Sequence, residues 1–129
     1  MGDLIYCLGG GKLRKIYGSK IGLMIKPPNP HLDRWHNIVS NHDLQDLKSM
    51  LAENVVIHSP YVRKPYQGRK KVWVILATVS KIFKDFSYQR ELIDGNDWAL
   101  EFSSQVDEYS LKGIDLIRID ENGLIVDFE

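Results

Sequence analysis

Asp115 is the residue whose surroundings most clearly suggest chemistry. It lies in an apolar run from Ile114 to Ile117, and a carboxylate in apolar surroundings is costly unless it is protonated or paired. In an alternating strand, Asp115 shares a face with Gly113 and Ile117, while Ile114 and Leu116 face the other way. Two interpretations remain open: an aspartate that is hydrogen-bonded within the fold, or a catalytic or binding group that faces a pocket.

His58 and Ser59 form a second candidate site, because they end a β-branched run just before Pro60. An acid/base pair of His58 and Asp115 is conceivable, but strand alternation argues against it: if Ser59 faces the pocket, His58 faces away. The other histidines are five and six residues apart, at His31, His36 and His42. Two metal ligands on one helical face need a spacing of four, so no metal site or other cofactor is predicted.

The densest basic cluster follows Pro60 and has two tyrosines interleaved; its members are Tyr61, Arg63, Lys64, Tyr66, Arg69, Lys70 and Lys71. An anion or RNA contact is one interpretation, and a solvated loop and helix face is the other. The chain has 17 basic and 17 acidic residues, of which residues 1–30 hold five and one, so residues 31–129 carry a net charge of −4. A mildly acidic body binds nucleic acid poorly, so no nucleic-acid partner is predicted.

Three amphipathic helices are predicted to position these residues. The first begins at His31, and its apolar face holds Leu32, Trp35, Ile38 and Val39. Asn41 is expected to cap the second helix, whose apolar stripe is Leu44, Leu47, Met50 and Leu51. The third runs from about Arg69 to Phe83, and its core stripe is Val72, Ile75, Leu76, Val79, Ile82 and Phe83.

The strands come mostly after the helices. A first strand is predicted at Val55–His58, and strict alternation after Lys84 predicts one strand face with Phe86, Tyr88, Arg90 and Leu92. Further strands are predicted around Trp98–Ser103, Leu111–Ile119 and Leu124–Phe128, with a Gly123 hairpin turn before the last. This order is typical of an α+β fold, in which a curved sheet wraps the long helix and leaves a cavity at one end.

Residues 1–30 are predicted to form a flexible basic N-terminal extension that ends in Pro27-Pro28-Asn29-Pro30. No apolar run approaches the ~20 residues that a membrane-spanning helix needs, so no membrane partner is predicted. Cys7 is the single cysteine, which favours a reducing, cytoplasmic location. The basic N-terminus leaves organelle import open as an alternative.

From Leu32 to Phe128 the chain resembles the nuclear-transport-factor-2-like (NTF2-like) superfamily, which includes ketosteroid isomerases and SnoaL-type polyketide cyclases. The resemblance rests on residues 52–60 (AENVVIHSP), the Gly68-Arg69 helix entry and residues 113–123 (GIDLIRIDENG). It implies a cone-shaped, curved antiparallel sheet wrapped on a long helix, plus an N-terminal helical hairpin, over residues 31–129. Family members usually extend the last strand beyond Phe128, so a truncated last strand is one interpretation.

The resemblance also implies roles for three positions. Ser59 stands where the ketosteroid isomerases have their aspartate base, and a serine hydroxyl has no pKa near 7. Trp35 stands in the place of their oxyanion-hole tyrosine, and its indole N–H donates without being acidic. Asp115 matches the aspartic acid that those enzymes keep protonated as an oxyanion donor. One of the three groups is retained, so ketosteroid isomerase activity is not expected.

Two functional hypotheses are compatible with these residues. The first is a pocket protein that binds a mostly apolar small molecule, with Asp115 as a catalytic acid if it is a proton-transfer enzyme of the isomerase, cyclase or dehydratase type. Its predicted ligand-binding residues are Trp35, Ser59, His58 and Phe102. The alternative is a non-catalytic, homodimerising protein-interaction module that uses the open sheet face, as in the transport-factor branch of the superfamily.

Overall fold

The computed structural model describes residues 28–60 and 63–129. The chain divides after Pro30 into two units, and the second, His31–Glu129, contains the sheet and the helices that pack on it. Of the predicted basic extension, residues 1–27 lie outside the described residues, as does Tyr61 of the basic cluster. The elements are α1 (Pro30–Asn41), α2 (Leu44–Met50), β1 (Leu51–Ile57), β2 (Tyr66–Gln67), α3 (Arg69–Ile82), β3 (Lys84–Asp94), β4 (Asp97–Val106), β5 (Tyr109–Ile119) and β6 (Ile125–Phe128).

The strands form one curved sheet in the order β2-β1-β6-β5-β4-β3. Neighbouring strands are antiparallel except for β1 and β6, which run parallel with Leu51 opposite Ile125. The predicted α+β cone is therefore confirmed, with one parallel pair at the junction between the first strand and the C-terminal meander. The residues of β2 were predicted to lie in a loop, since two residues give no periodic signal.

The helical hairpin of α1 and α2 is held by a cap and an ion pair. Asp43, and not the predicted Asn41, caps α2: its side chain accepts a hydrogen bond from the Asp46 backbone N–H at 3.0 Å. Asn41 is instead the last residue of α1. Arg34 on α1 donates two hydrogen bonds to the Asp46 carboxylate, at 3.1 and 2.6 Å, which ties the two helices together.

The core lies between the helices and the inner face of the sheet. The face of α1 buries Leu32, Trp35 and Ile38 as predicted, and the core also contains Met50, Leu51, Val55, Val72, Trp98, Leu100, Ile117, Ile119, Ile125 and Phe128. The prediction of Ile82 as a core residue is wrong, since 48% of it is exposed. The contacts that anchor α3 come from its first two turns: Arg69 donates to the Leu51 carbonyl and Trp73 to the Leu44 carbonyl.

A β-bulge changes which side chains of β3 face the core. Tyr88 lies opposite Phe102, and Glu91 lies opposite Leu100, so three residues of β3 span the distance that two residues span on β4. Tyr88 and Glu91 therefore share the inner face. The predicted alternation is wrong beyond Tyr88, because Arg90 and Leu92 lie on the outer face.

The predicted turn before β6 is confirmed and depends on Gly123. Its φ of +81° is in the left-handed region that favours glycine. A side chain there would also meet the imidazole ring of His31, which packs directly against the glycine. This contact fixes the start of α1 against the sheet, and so helps to position Trp35 one turn later.

Candidate functional site

A chain of two hydrogen bonds joins α1 to the inner face of the sheet. Trp35 Nε1 donates to Tyr88 Oη at 2.9 Å, and Tyr88 Oη donates to Asp115 Oδ2 at 2.8 Å. Because β4 lies between β3 and β5, the Tyr88 side chain crosses β4 to reach Asp115. We call this arrangement the Trp35–Tyr88–Asp115 chain.

Each member of the chain is held by its own element. Trp35 is 4% exposed, and its ring lies 5.8 Å from that of Phe128, which fixes the direction of the indole N–H. Asp115 lies opposite Leu100 on β4, on the inner face that it shares with Ile117, as the alternation predicts. The site is therefore built from regular elements, which hold side chains more rigidly than loops do.

Burial dominates the electrostatics of this site. It raises the pKa of Asp115 to about 6, an effect that the hydrogen bond from Tyr88 partly offsets by stabilising the carboxylate. Burial and the neighbouring charge of Asp115 raise the pKa of Tyr88 well above its usual range, so the phenol keeps its proton. Within residues 28–60 and 63–129, no Lys, Arg or His pairs with Asp115, and its Oδ1 accepts no hydrogen bond.

An aromatic wall adjoins Asp115 on the same face; its members are Phe83, Phe86, Tyr88 and Phe102. The rings of Phe86 and Phe102 are stacked with centroids 4.9 Å apart. Phe102 lies over Gly113, where a Cβ would come within 2.5 Å of its ring. Gly113 thus lets the aromatic wall reach the inward position next to Asp115.

A second polar pair lies beside the chain. His36 Nε2 and Glu91 Oε2 are 2.5 Å apart, and the His36 ring centroid is 6.0 Å from that of Tyr88. Two consecutive residues of α1 thus contact two side chains of β3, which share a face only because of the bulge. Tyr88, His36 and Glu91 were not predicted as site residues. The inward tyrosine on β3 was the one available signal, since a buried tyrosine hydroxyl needs a partner.

The structure brings together some of the predicted site residues and separates others. Trp35 and Asp115 meet through Tyr88, and Phe102 contributes to the aromatic wall. His58 lies on the outer face, where its Nε2 is 3.4 Å from Asp127 Oδ1, so the structure does not bring it to Asp115. Ser59 follows the end of β1 and is partly buried.

Other polar features lie away from Asp115. Arg69 of the basic cluster has a structural contact to the Leu51 carbonyl, whereas Arg63, Lys64, Lys70 and Lys71 are exposed. An open cavity of 520 Å³ lies at the far end of β3, β4 and β5; its lining is Asp85, Ser103, Ser104, Gln105, Ser110, Leu111 and Lys112.

In the described part of the chain, no group of three or more His, Cys, Asp or Glu side chains is arranged to hold a metal ion. None of the helices described here is both long enough and apolar enough to span a membrane.

Comparisons with known proteins agree with this architecture. A crystal structure of a steroid delta-isomerase from Pseudomonas aeruginosa is 46% identical, with a TM-score of 0.74 over 78% of this chain and 74% of that one. An uncharacterised protein with a cystatin-like fold from Silicibacter pomeroyi is 39% identical, with a TM-score of 0.72 over 78% and 71% of the two chains. An NTF2-like protein of unknown function from Mesorhizobium loti, 18% identical with a TM-score of 0.66 over 80% and 93%, shares the fold.

A search of curated protein sequences found no match. The family model described as "SnoaL-like domain" matches residues 32–128, which is most of the chain and all of the sheet. The protein therefore belongs to the SnoaL-like domain family, within the NTF2-like superfamily.

Proposed function

We propose that this domain binds a small, mostly apolar molecule with a flat ring system, held against Asp115 and the aromatic wall on the inner face of the sheet. The observation that carries the proposal is Asp115: a largely buried carboxyl without a cationic partner among the described residues, next to the aromatic wall. Ligand sites typically combine an apolar lining with a few converging polar groups and a shifted pKa.

The same carboxyl suits proton transfer. A pKa of about 6 allows Asp115 to take up and release a proton near neutral pH, which general acid–base catalysis requires. The relative named as a steroid delta-isomerase supports an isomerase, cyclase or dehydratase type of reaction. Ser59 stands where the ketosteroid isomerase base would be, so we expect no isomerisation of a Δ5-3-ketosteroid, assayed by the ultraviolet absorbance of the conjugated product.

A thermal-shift screen with aromatic and carbonyl compounds tests ligand binding. The natural protein, Asp115→Asn and Glu101→Gln are compared; Glu101 is a matched control because it is a carboxylate on the outer face of the adjacent strand. We expect the compounds that stabilise the natural protein to stabilise Glu101→Gln equally and Asp115→Asn less. Absence of any shift, in protein shown by circular dichroism to be folded, would refute the proposal.

A second candidate, a homodimerising interaction module, is favoured by the outer face of the sheet. Leu92, Ile114 and Leu116 are 68%, 58% and 47% exposed there. Ion pairs lie on the same face, Arg90 with Glu101 and Arg118 with Asp97, so both signs of charge are available to a second copy of the chain. A self-complementary patch of this kind suits a two-fold interface.

Sedimentation of the natural protein and of Ile114→Glu tests this candidate. We expect the natural protein to dimerise and Ile114→Glu to be monomeric, because a carboxylate in the centre of the interface would be desolvated without a partner. Gln105→Glu, at the far end of β4, is the control and is expected to dimerise. A natural protein that stays monomeric at high concentration would eliminate the module.

A further inference from the structure

We propose that the Trp35–Tyr88–Asp115 chain has a fixed direction, so that the site presents a hydrogen-bond acceptor and selects ligands with an O–H or N–H group over carbonyl compounds. The inference rests on the proposed ligand-binding function and specifies its ligand class. It reverses the role expected from the sequence, in which Asp115 acts as an acid towards a carbonyl.

Trp35 sets the direction of the two hydrogen bonds. An indole N–H is a donor and has no acceptor lone pair, so the oxygen of Tyr88, 2.9 Å away, must accept. A phenol carries one hydrogen, and the Asp115 carboxyl 2.8 Å away is the acceptor for it. The first bond cannot be reversed, and reversing the second would leave the Tyr88 hydrogen without an acceptor among the described residues, so Asp115 accepts from Tyr88.

This direction determines what Asp115 offers a ligand. A carboxyl that accepts from Tyr88 is stabilised as the carboxylate, and an ionised carboxylate has acceptor sites only. Oδ1 accepts no hydrogen bond from the residues that the structure describes. A ligand donor can therefore take the acceptor position that the protein leaves open, whereas a ligand carbonyl would face a second acceptor.

The polar pair beside the chain does not change this conclusion. His36 on α1 and Glu91 on β3 are 2.5 Å apart and bind each other, so neither supplies a counter-ion to Asp115. Trp35 is already engaged by Tyr88. The pKa of about 6 is consistent with a carboxylate at neutral pH.

Three planar probes of similar size separate donors from acceptors: indole, which donates through N–H; 1-methylindole, which has no donor; and 1-indanone, which only accepts. Their dissociation constants are measured by calorimetry at about pH 7.5. We expect indole to bind about tenfold more tightly than either of the others, as for one charge-assisted hydrogen bond.

Asp115→Asn is expected to reverse the preference. The Asn oxygen would accept from Tyr88, which leaves its NH₂ group facing the ligand as a donor, so 1-indanone should then bind more tightly than indole. Glu101→Gln is the control and should keep the natural preference. In the natural protein, lowering the pH to about 5 protonates Asp115. The dissociation constants of indole and 1-indanone should then become more similar.

The outcomes separate the two proposals. If 1-indanone binds best to the natural protein, or if the three probes bind equally, the direction inferred for the chain is wrong while ligand binding stands. If no probe binds to the folded protein at millimolar concentration, both proposals are refuted. A tenfold preference for indole that Asp115→Asn reverses supports both.

Discussion

The two faces of β4 and β5 shift the pKa of their carboxylates in opposite directions. On the outer face, Glu101 accepts two hydrogen bonds from Arg90, at 2.9 and 3.1 Å, and the pKa of its carboxyl is lowered. On the inner face, Asp115 lies one residue pair away along the same two strands, and burial raises its pKa to about 6. Backbone and register are shared, so the difference comes from burial and pairing alone.

The two carboxylates differ in what their placement costs the fold. Glu101 is half-buried but paired with a cation that stabilises its charge. Asp115 has a neutral phenol as its partner, which compensates only part of the cost of burying a charge. Asp115 therefore lowers the stability of the fold, yet it lies on a rigid strand beside an aromatic wall. Its position is better explained by function than by stability.

Truncating one aliphatic side chain on each face should give the largest difference in the free energy of unfolding. Leu100 is fully buried opposite Asp115, so Leu100→Ala is expected to lower the free energy of unfolding by about 2–5 kcal/mol through lost burial and a new cavity. Leu116 is 47% exposed, so Leu116→Ala should cost less than about 1 kcal/mol. Urea unfolding followed by circular dichroism measures both.

Equal losses for the two variants would contradict the comparison, because they would mean that the outer face is also buried in solution. Repeating the measurement on diluted protein distinguishes the cause. A cost of Leu116→Ala that disappears on dilution would identify a homodimer, since the stability of a dimer depends on protomer concentration.

The pH dependence of stability should differ between the natural protein and Asp115→Asn. The folded-state pKa of Asp115 is raised from 3.8 to about 6, so its contribution to stability is fully present below about pH 4 and is lost as the pH rises through 6. Two pKa units correspond to roughly 3 kcal/mol. We therefore expect Asp115→Asn to be more stable than the natural protein by about 2–3 kcal/mol at pH 8, and close to it at pH 4.

Chemical unfolding at a series of pH values gives this difference directly. Glu101→Gln, on the outer face, is the matched control and should keep the natural pH dependence near pH 6, since the pKa of Glu101 is lowered. A loss of stability in Asp115→Asn at pH 8 would show that the carboxylate has a structural role, which is the other interpretation that the sequence left open.

The inward position of Asp115 and the core face of α1 could be predicted from the sequence because each depends on local periodicity. Ile117 and Asp115 alternate with Ile114 and Leu116 as strand geometry requires. Trp35 was likewise correctly placed on the buried face of its helix. The burial of each of these residues follows from its neighbours in the sequence.

The hydrogen-bonded chain and its neighbours could not be predicted, because they depend on contacts between distant elements. The bulge in β3 has no marker such as glycine at Gln89 or Arg90, and it places Glu91 beside His36 of α1, 55 residues earlier in the chain. Strict alternation therefore put Arg90 on the wrong face. Tyr88 was predicted only as one member of a strand face, and its role as a bridge becomes visible only when α1 and β5 are both in place.

Removing the outer ion pair should have the smallest effect. Arg90 is 79% exposed at its side chain, and such pairs gain little because solvent screens both charges. We expect Glu101→Gln to leave the melting temperature unchanged within error and to leave the pH dependence near 6 unchanged, since the pKa of Glu101 is lowered rather than raised. Differential scanning calorimetry at low and high salt measures this. A melting temperature that falls only at low salt would show that the pair does stabilise the outer face. A change in the pH dependence of stability near pH 6 would mean that Glu101 influences Asp115 through the sheet. The two faces would then not be independent.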